Sequence, residues 1–104
     1  MEDGRIEALK GLLAKNPDDA MLYYLLGNEY FKTGSFGEAI ETIRTYLSLA
    51  NDEGAAYRIL AQSLERTGNT SEARLAYQQG REAATLHDHP GMAAEFEVAL
   101  KDLS

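Results

Sequence analysis

No cysteine occurs in the sequence, which excludes a disulfide framework, a thiolate metal site and a thiol nucleophile, and fits a reducing compartment. Proline is scarce: Pro17 and Pro90 are the only two, and the long middle stretch lacks the residue that most reliably breaks a helix. Positive charge is in deficit, with 10 Lys and Arg against 17 Asp and Glu, for a formal net charge of −7. The basic residues stand singly, Arg44, Arg58, Arg66, Arg74 and Arg81 among them. No cluster of the kind that draws a protein onto nucleic acid or an anionic membrane is present, so neither is an expected partner. Long apolar runs are missing as well: the most apolar stretch, 20–26, falls far short of the about 20 residues that span a bilayer. The start, Met1-Glu2-Asp3-Gly4-Arg5, is acidic where a signal peptide is basic, and no apolar core follows it. The expected location is cytoplasmic.

Enzyme motifs are absent in the same way. There is no Gly-rich phosphate loop, no Ser-His-Asp spacing and no dinucleotide fingerprint, so neither catalysis nor a cofactor is expected. His87-Asp88-His89 supplies two imidazoles before a proline, at most a partial site, and no metal is expected there. His87 and Asp88 read instead as helix caps, where a cation suits a C-terminus and a carboxylate an N-terminus. The many other carboxylates sit at helix positions expected to face water.

What the sequence does contain is enough apolar material to fold: 44% hydrophobic and 26% charged residues over 104, the size of one domain with one core. It also contains a repeat. Tyr23, Leu26, Gly27 and Tyr30 are followed by Thr33-Gly34 and Glu38-Ala39; Tyr57, Leu60, Ala61 and Leu64 are followed by Thr67-Gly68 and Glu72-Ala73. Every element is displaced by about 34 residues. Helical spacing runs on both sides of each Gly, so each unit is a pair of helices. Gly34 and Gly68 stand where a helix ends in the left-handed conformation, with Ser35 and Asn69 as the expected caps of the next helix. Turns this short force the two helices antiparallel.

The flanks complete the pattern. Ile6, Leu9, Leu12 and Leu13 form an apolar stripe that ends at Asn16-Pro17-Asp18-Asp19, a stop followed by a cap. Pro17, Asn51 and Thr85 keep the same period, so the first helix takes the place of the second helix of a preceding unit. After a turn at 86–91, Met92, Phe96, Ala99, Leu100 and Leu103 face opposite Glu95, Glu97, Lys101 and Asp102. That amphipathic helix is suited to cover the open end of a stack. The reading is a single all-α domain over 1–104 with about six helices: a half repeat at 3–16, repeats at 18–51 and 52–87, and a capping helix at 89–103.

These residues resemble the tetratricopeptide repeat family. Its signature, Trp-x2-Leu-Gly-x2-Tyr, then Ala-x3-Phe, then Pro, is met by Tyr23, Leu26, Gly27, Tyr30, Ala39 and Ile43, with Asn51 for the proline. The second unit is looser, with Tyr57, Leu60, Ala61, Leu64, Ala73, Tyr77 and Thr85. The resemblance implies a right-handed solenoid of antiparallel helix hairpins. The small pairs Gly27 with Ala39, and Ala61 with Ala73, would let the helices approach to about 8–10 Å. Tyr46 stands where the family keeps a small residue, and the smallness of Gly54, Ala55 and Ala56 reads as compensation for it. Gly80 reads as a close contact for the capping helix.

The resemblance also implies a function: a protein–protein interaction module whose groove, lined by the first helix of each repeat, holds a protein or peptide. By register the groove candidates are Tyr24, Asn28, Phe31 and Lys32, then Arg58, Gln62 and Glu65, with Met21, Ala55 and Arg66 beside them. Tyr24 and Phe31 have a competing reading as residues packed on a flanking helix, and Arg58 as one half of a local ion pair. The family's Lys and Asn clamp for chaperone tails is matched at Asn28 alone, since Tyr24 and Ile59 replace other members. The alternative function is self-assembly, two chains pairing through their terminal helices as a homodimer.

Overall fold

A sequence that alternates helix-period stripes with short Gly turns has one economical solution, antiparallel helices stacked in chain order. The computed structural model describes residues 2–103, so Met1 and Ser104 lie outside it. Its helices are α1 (Glu2–Lys15), α2 (Ala20–Lys32), α3 (Phe36–Leu49), α4 (Ala55–Arg66), α5 (Thr70–Leu86) and α6 (Pro90–Asp102). Each packs on the next, and α2 also touches α4. The fold is thus an all-helical repeat with no strand among the described residues.

The turns show how the glycines act. Gly34 and Gly68 both take φ +82°, and the following amides fold back: Ser35 N donates to Tyr30 O at 2.8 Å and Asn69 N to Leu64 O at 2.8 Å. Both bonds satisfy carbonyls that a helix end would otherwise leave free. The hydroxyls of Thr33 and Thr67 repeat the match, each donating to the carbonyl three residues back, at 3.1 Å. Asp19 caps α2, its carboxylate accepting from Met21 N at 3.1 Å.

Other expected caps differ. Ser35 and Asn69 occupy N-cap positions but neither side chain makes the capping bond, and the Asn69 amide donates to Thr67 Oγ1 at 2.9 Å instead. Asp88 is not a carboxylate cap for α6. It holds the left-handed position, φ +60°, that glycine fills after α2 and α4, while His89 N donates to Ala84 O at 2.7 Å; His89 is the N-cap of α6. The cap of α4 comes from Asp52, whose carboxylate accepts from Gly54 N at 2.8 Å, Ala56 N at 2.9 Å and the Tyr46 hydroxyl at 3.0 Å.

One cluster joins α3, α4, α5 and α6 around Ile43, Leu60, Leu64, Tyr77 and Phe96, and a smaller one joins α1 to α2 through Ile6, Leu9 and Leu26. Leu12 does not belong to the α1 stripe: it is 48% exposed, because at about 100° per residue it points some 120° away from Ile6 while Leu13 returns to the same side. Gly27 is crowded by Ile43 and not by Ala39, since a Cβ at Gly27 would lie 2.5 Å from Ile43 Cδ1. Gly80 does meet the capping helix, where a Cβ would lie 2.8 Å from Phe96 Cζ. The smallness of Gly54 answers to α6 and not to Tyr46: a side chain there would run into Met92, and the backbone φ of +140° suits only glycine. Tyr46 lies with its ring 5.3 Å from that of Tyr24.

Among the described residues two polar side chains, Glu29 and Ser63, are buried. Glu29, 3% exposed, is an exception to the expectation that carboxylates face water; Arg5 Nε and Lys32 Nζ each lie 3.2 Å from its Oε2. Ser63 occupies the equivalent place in α4, is 0% exposed, and its hydroxyl has no hydrogen-bond partner among the described residues. A buried hydroxyl without a partner forfeits its bond to water, and alanine is the better helix former. Ser63→Ala should therefore raise unfolding stability by about 1 kcal/mol, read as a higher urea midpoint at unchanged slope. A lower midpoint would show that the hydroxyl is satisfied in solution.

Candidate functional site

The first helices of the hairpins, α2 and α4, are neighbours, and α6 continues their register, about 34 residues beyond α4. The seven groove candidates lie on this wall, and the structure gives most of them partners within the chain. The Tyr24 ring is tilted against Tyr46 of α3, and burial pushes its hydroxyl above the ordinary pKa. Phe31 meets Phe36 edge-on with ring centres 5.7 Å apart. Both aromatics thus rest on α3 and its first turn and pack against the main cluster. Lys32 is held by Glu29.

Arg58 forms a two-pronged pair with Glu95 of α6, Nε to Oε2 at 2.6 Å and Nη2 to Oε1 at 2.9 Å. The fork fits a planar carboxylate, which is why an arginine and not a lysine suits this place. Glu65 accepts from the Tyr77 hydroxyl, whose pKa is driven well above the usual value chiefly by burial and next by that hydrogen bond. Arg66 lies over the Phe36 ring, 5.2 Å from its centre.

Two candidates remain open. Asn28 and Gln62 are half-buried, one repeat apart on α2 and α4, and neither side chain makes a hydrogen bond or ion pair with another described residue. Gln62 opens on a hollow of about 450 Å³ shared with Glu65, Arg66 and Tyr77. With Lys32 and Arg58 in ion pairs and Arg66 lying over a ring, these amides are the unengaged groups the wall offers a ligand, each able to donate and accept.

Sequence reasoning missed Asp52 and Glu95 as the groups that fix the wall's edges. Asp52 could have been found from its place two residues before Gly54, where an Asp side chain turns back to the backbone. Glu95 carries no such local signal. At the other end of the hairpins Glu53 Oε1 lies 2.6 Å from His89 Nε2, and that hydrogen bond is the first cause holding the Glu53 carboxyl below its usual range. Among the described residues no group of three His, Cys, Asp or Glu is placed to hold a metal, and no helix is long and apolar enough to cross a membrane.

Comparison with known proteins agrees with this architecture. The family model described as tetratricopeptide repeat matches residues 6–54 and 24–87. The TPR repeat-containing protein PA0015 of Pseudomonas aeruginosa is 30% identical over 98 residues, 94% of this chain and 93% of that protein. The solution structure of protein BPP2914 from Bordetella parapertussis superposes with a TM-score of 0.81 at 28% identity, covering 94% of this chain and 85% of that one. The recurring spacing, the paired helices and the match to the family model lead to one assignment: the chain belongs to the tetratricopeptide repeat family, whose repeats generally mediate protein–protein interaction as non-enzymatic scaffolds.

Proposed function

We propose that the chain binds a peptide or protein segment along the wall of α2 and α4, as a single domain of a half repeat at 3–16, repeats at 18–51 and 52–87, and a cap at 89–103. One observation carries this reading: Asn28 and Gln62, one repeat apart on α2 and α4, are half-buried amides without side-chain partners among the described residues. Helix-face amides so placed match the alternating donors and acceptors of a peptide backbone. Tyr24 and Phe31 supply apolar flanks, while Lys32 and Glu65 border the wall through their own pairs. Arg58 is engaged by Glu95, so a partner's carboxylate reaches it only by displacing that side chain.

The test places a photo-crosslinking amino acid at Gln62, and separately at the exposed Glu7 of α1, in the cells that make the protein. Discrete adducts should form from position 62, be absent from 7, and fall at least several-fold when Asn28→Ala is added, the loss of one well-made hydrogen bond. Equal adducts from both positions, or none from 62, would remove the wall from consideration.

A further inference from the structure

The outer face of α5 differs from that of α3. Leu75, Gln79, Glu82 and Leu86 form its exposed ridge, with Leu75 54% and Leu86 80% accessible. One repeat earlier the corresponding residues of α3 are Glu41, Thr45 and Ser48, the polar set that water ordinarily selects. The α5 ridge also reads the same in both directions, leucine, a polar side chain, a polar side chain, leucine, about a midpoint between Gly80 and Arg81. Two such ridges laid antiparallel bring each Leu75 against the other chain's Leu86, and each Gln79 amide against the other's Glu82 carboxylate. Neither the Gln79 nor the Glu82 side chain has a hydrogen bond or ion pair with a described residue of its own chain. Donor therefore meets unpaired acceptor twice.

The surface beside the ridge has room for the incoming leucines. Two clefts, of about 260 and 570 Å³, adjoin between α3 and α5 and share Leu47, Tyr57 and Gln79 as walls. Leu75 rims the first and Leu86 the second. In the antiparallel arrangement each cleft receives a leucine from the opposite chain, so the same surface supplies knob and hole on both sides, as a two-fold interface requires.

We propose that a second copy of this chain docks on the outer face of α5, forming a weak two-fold dimer. The interface is one helix ridge with its adjoining clefts. It lies on the outer face of α5 and its clefts with α3, reaches α4 only through the cleft residues Tyr57, Leu60 and Leu64, and leaves Asn28 and Gln62 free, so it stands or falls independently of the peptide-binding reading. Because each chain carries −7, two copies repel, and salt should tighten the pairing by screening. A basic peptide on this acidic chain would instead be loosened by salt.

The chain's lack of cysteine makes the register directly testable. Leu75→Cys and Leu86→Cys chains are prepared separately and mixed under mild oxidation. Positions 75 and 86 of one chain lie about 16 Å apart along α5, so only the antiparallel register brings 75 of one chain within disulfide reach of 86 of the other. The mixture should yield a cross-linked dimer several-fold faster than either variant alone. Sedimentation equilibrium on the native chain should show mass rising from 11.5 kDa toward twice that value, more steeply at high salt, and Leu75→Gln/Leu86→Gln should abolish the rise. A monomer at all salt concentrations up to about 1 mM protein overturns the proposal, as does faster cross-linking of like variants or a native mass unaffected by the double substitution.

Discussion

Phe96→Ala should lower the unfolding free energy by about 3–5 kcal/mol, with a fall in Tm of about 12 °C or more. Phe96 is the largest side chain in the structure that water does not reach, at 0% exposed, and the only fully buried residue of α6. Its ring centre lies 6.0 Å from that of Tyr77, and Gly80 is shaped to admit it. Truncation would remove the transfer energy of an aromatic ring and leave a cavity bounded by α5, which cannot close without bringing α6 inward onto Tyr57 and Gly80. The Arg58–Glu95 pair cannot hold α6 in its place, because an ion pair half open to water contributes at most about 1 kcal/mol. Urea unfolding measures the loss. A cost below about 1 kcal/mol would mean that the cap is dispensable to the core, contrary to its packing.

The capping helix also shows what the sequence could and could not say. Its apolar stripe is periodic, so Phe96 reads as core from spacing alone, and Gly80 reads as its contact because an interior glycine otherwise weakens a helix. Gly34 and Gly68 are legible for the same reason: a fixed turn chemistry leaves a fixed residue. Glu95 is different. It shares one edge of the polar side of α6 with Asp102, seven residues on, and only the packing of α6 brings Glu95 and not Asp102 to Arg58. Glu29 and Ser63 fail similarly, since burial of a carboxylate and a hydroxyl at matching positions depends on what the preceding helix presents: Arg5 reaches Glu29, and nothing reaches Ser63.

The candidate wall was less legible than the fold because register fixes which side of a helix a residue occupies and not whether its group is already engaged. Tyr24, Phe31, Lys32, Arg58 and Glu65 all lie on α2 and α4 as spacing places them, and each has a partner in the chain. Asn28 and Gln62 differ from these in being unengaged, a property of the assembled structure that no local pattern encodes. The long side chains of Arg58 and Lys32 reach groups on other turns and other helices, whereas short amides stay where the backbone puts them.

The close approach of α2 and α3 at Gly27 yields the second large effect. Ile43, 0% exposed, fills the space that Gly27 leaves, and a Cβ at Gly27 would meet its Cδ1 at 2.5 Å and its Cγ1 at 2.7 Å. Ile43→Ala should cost about 2–5 kcal/mol as a cavity. Gly27→Ala alone should cost about 1–3 kcal/mol by forcing α2 and α3 apart, even though alanine is the better helix former by about 1 kcal/mol. Together they should couple. The new methyl enters the space vacated by the isoleucine, so the double variant should be more stable than the sum of single losses predicts, by at least about 1 kcal/mol. The second hairpin has already made the analogous exchange: Ala61 stands at the position of Gly27, and Tyr77, unbranched at Cβ, at that of Ile43. Additive losses in a full double-mutant cycle would mean that the two helices adjust independently, and that the glycine is not there to seat the isoleucine.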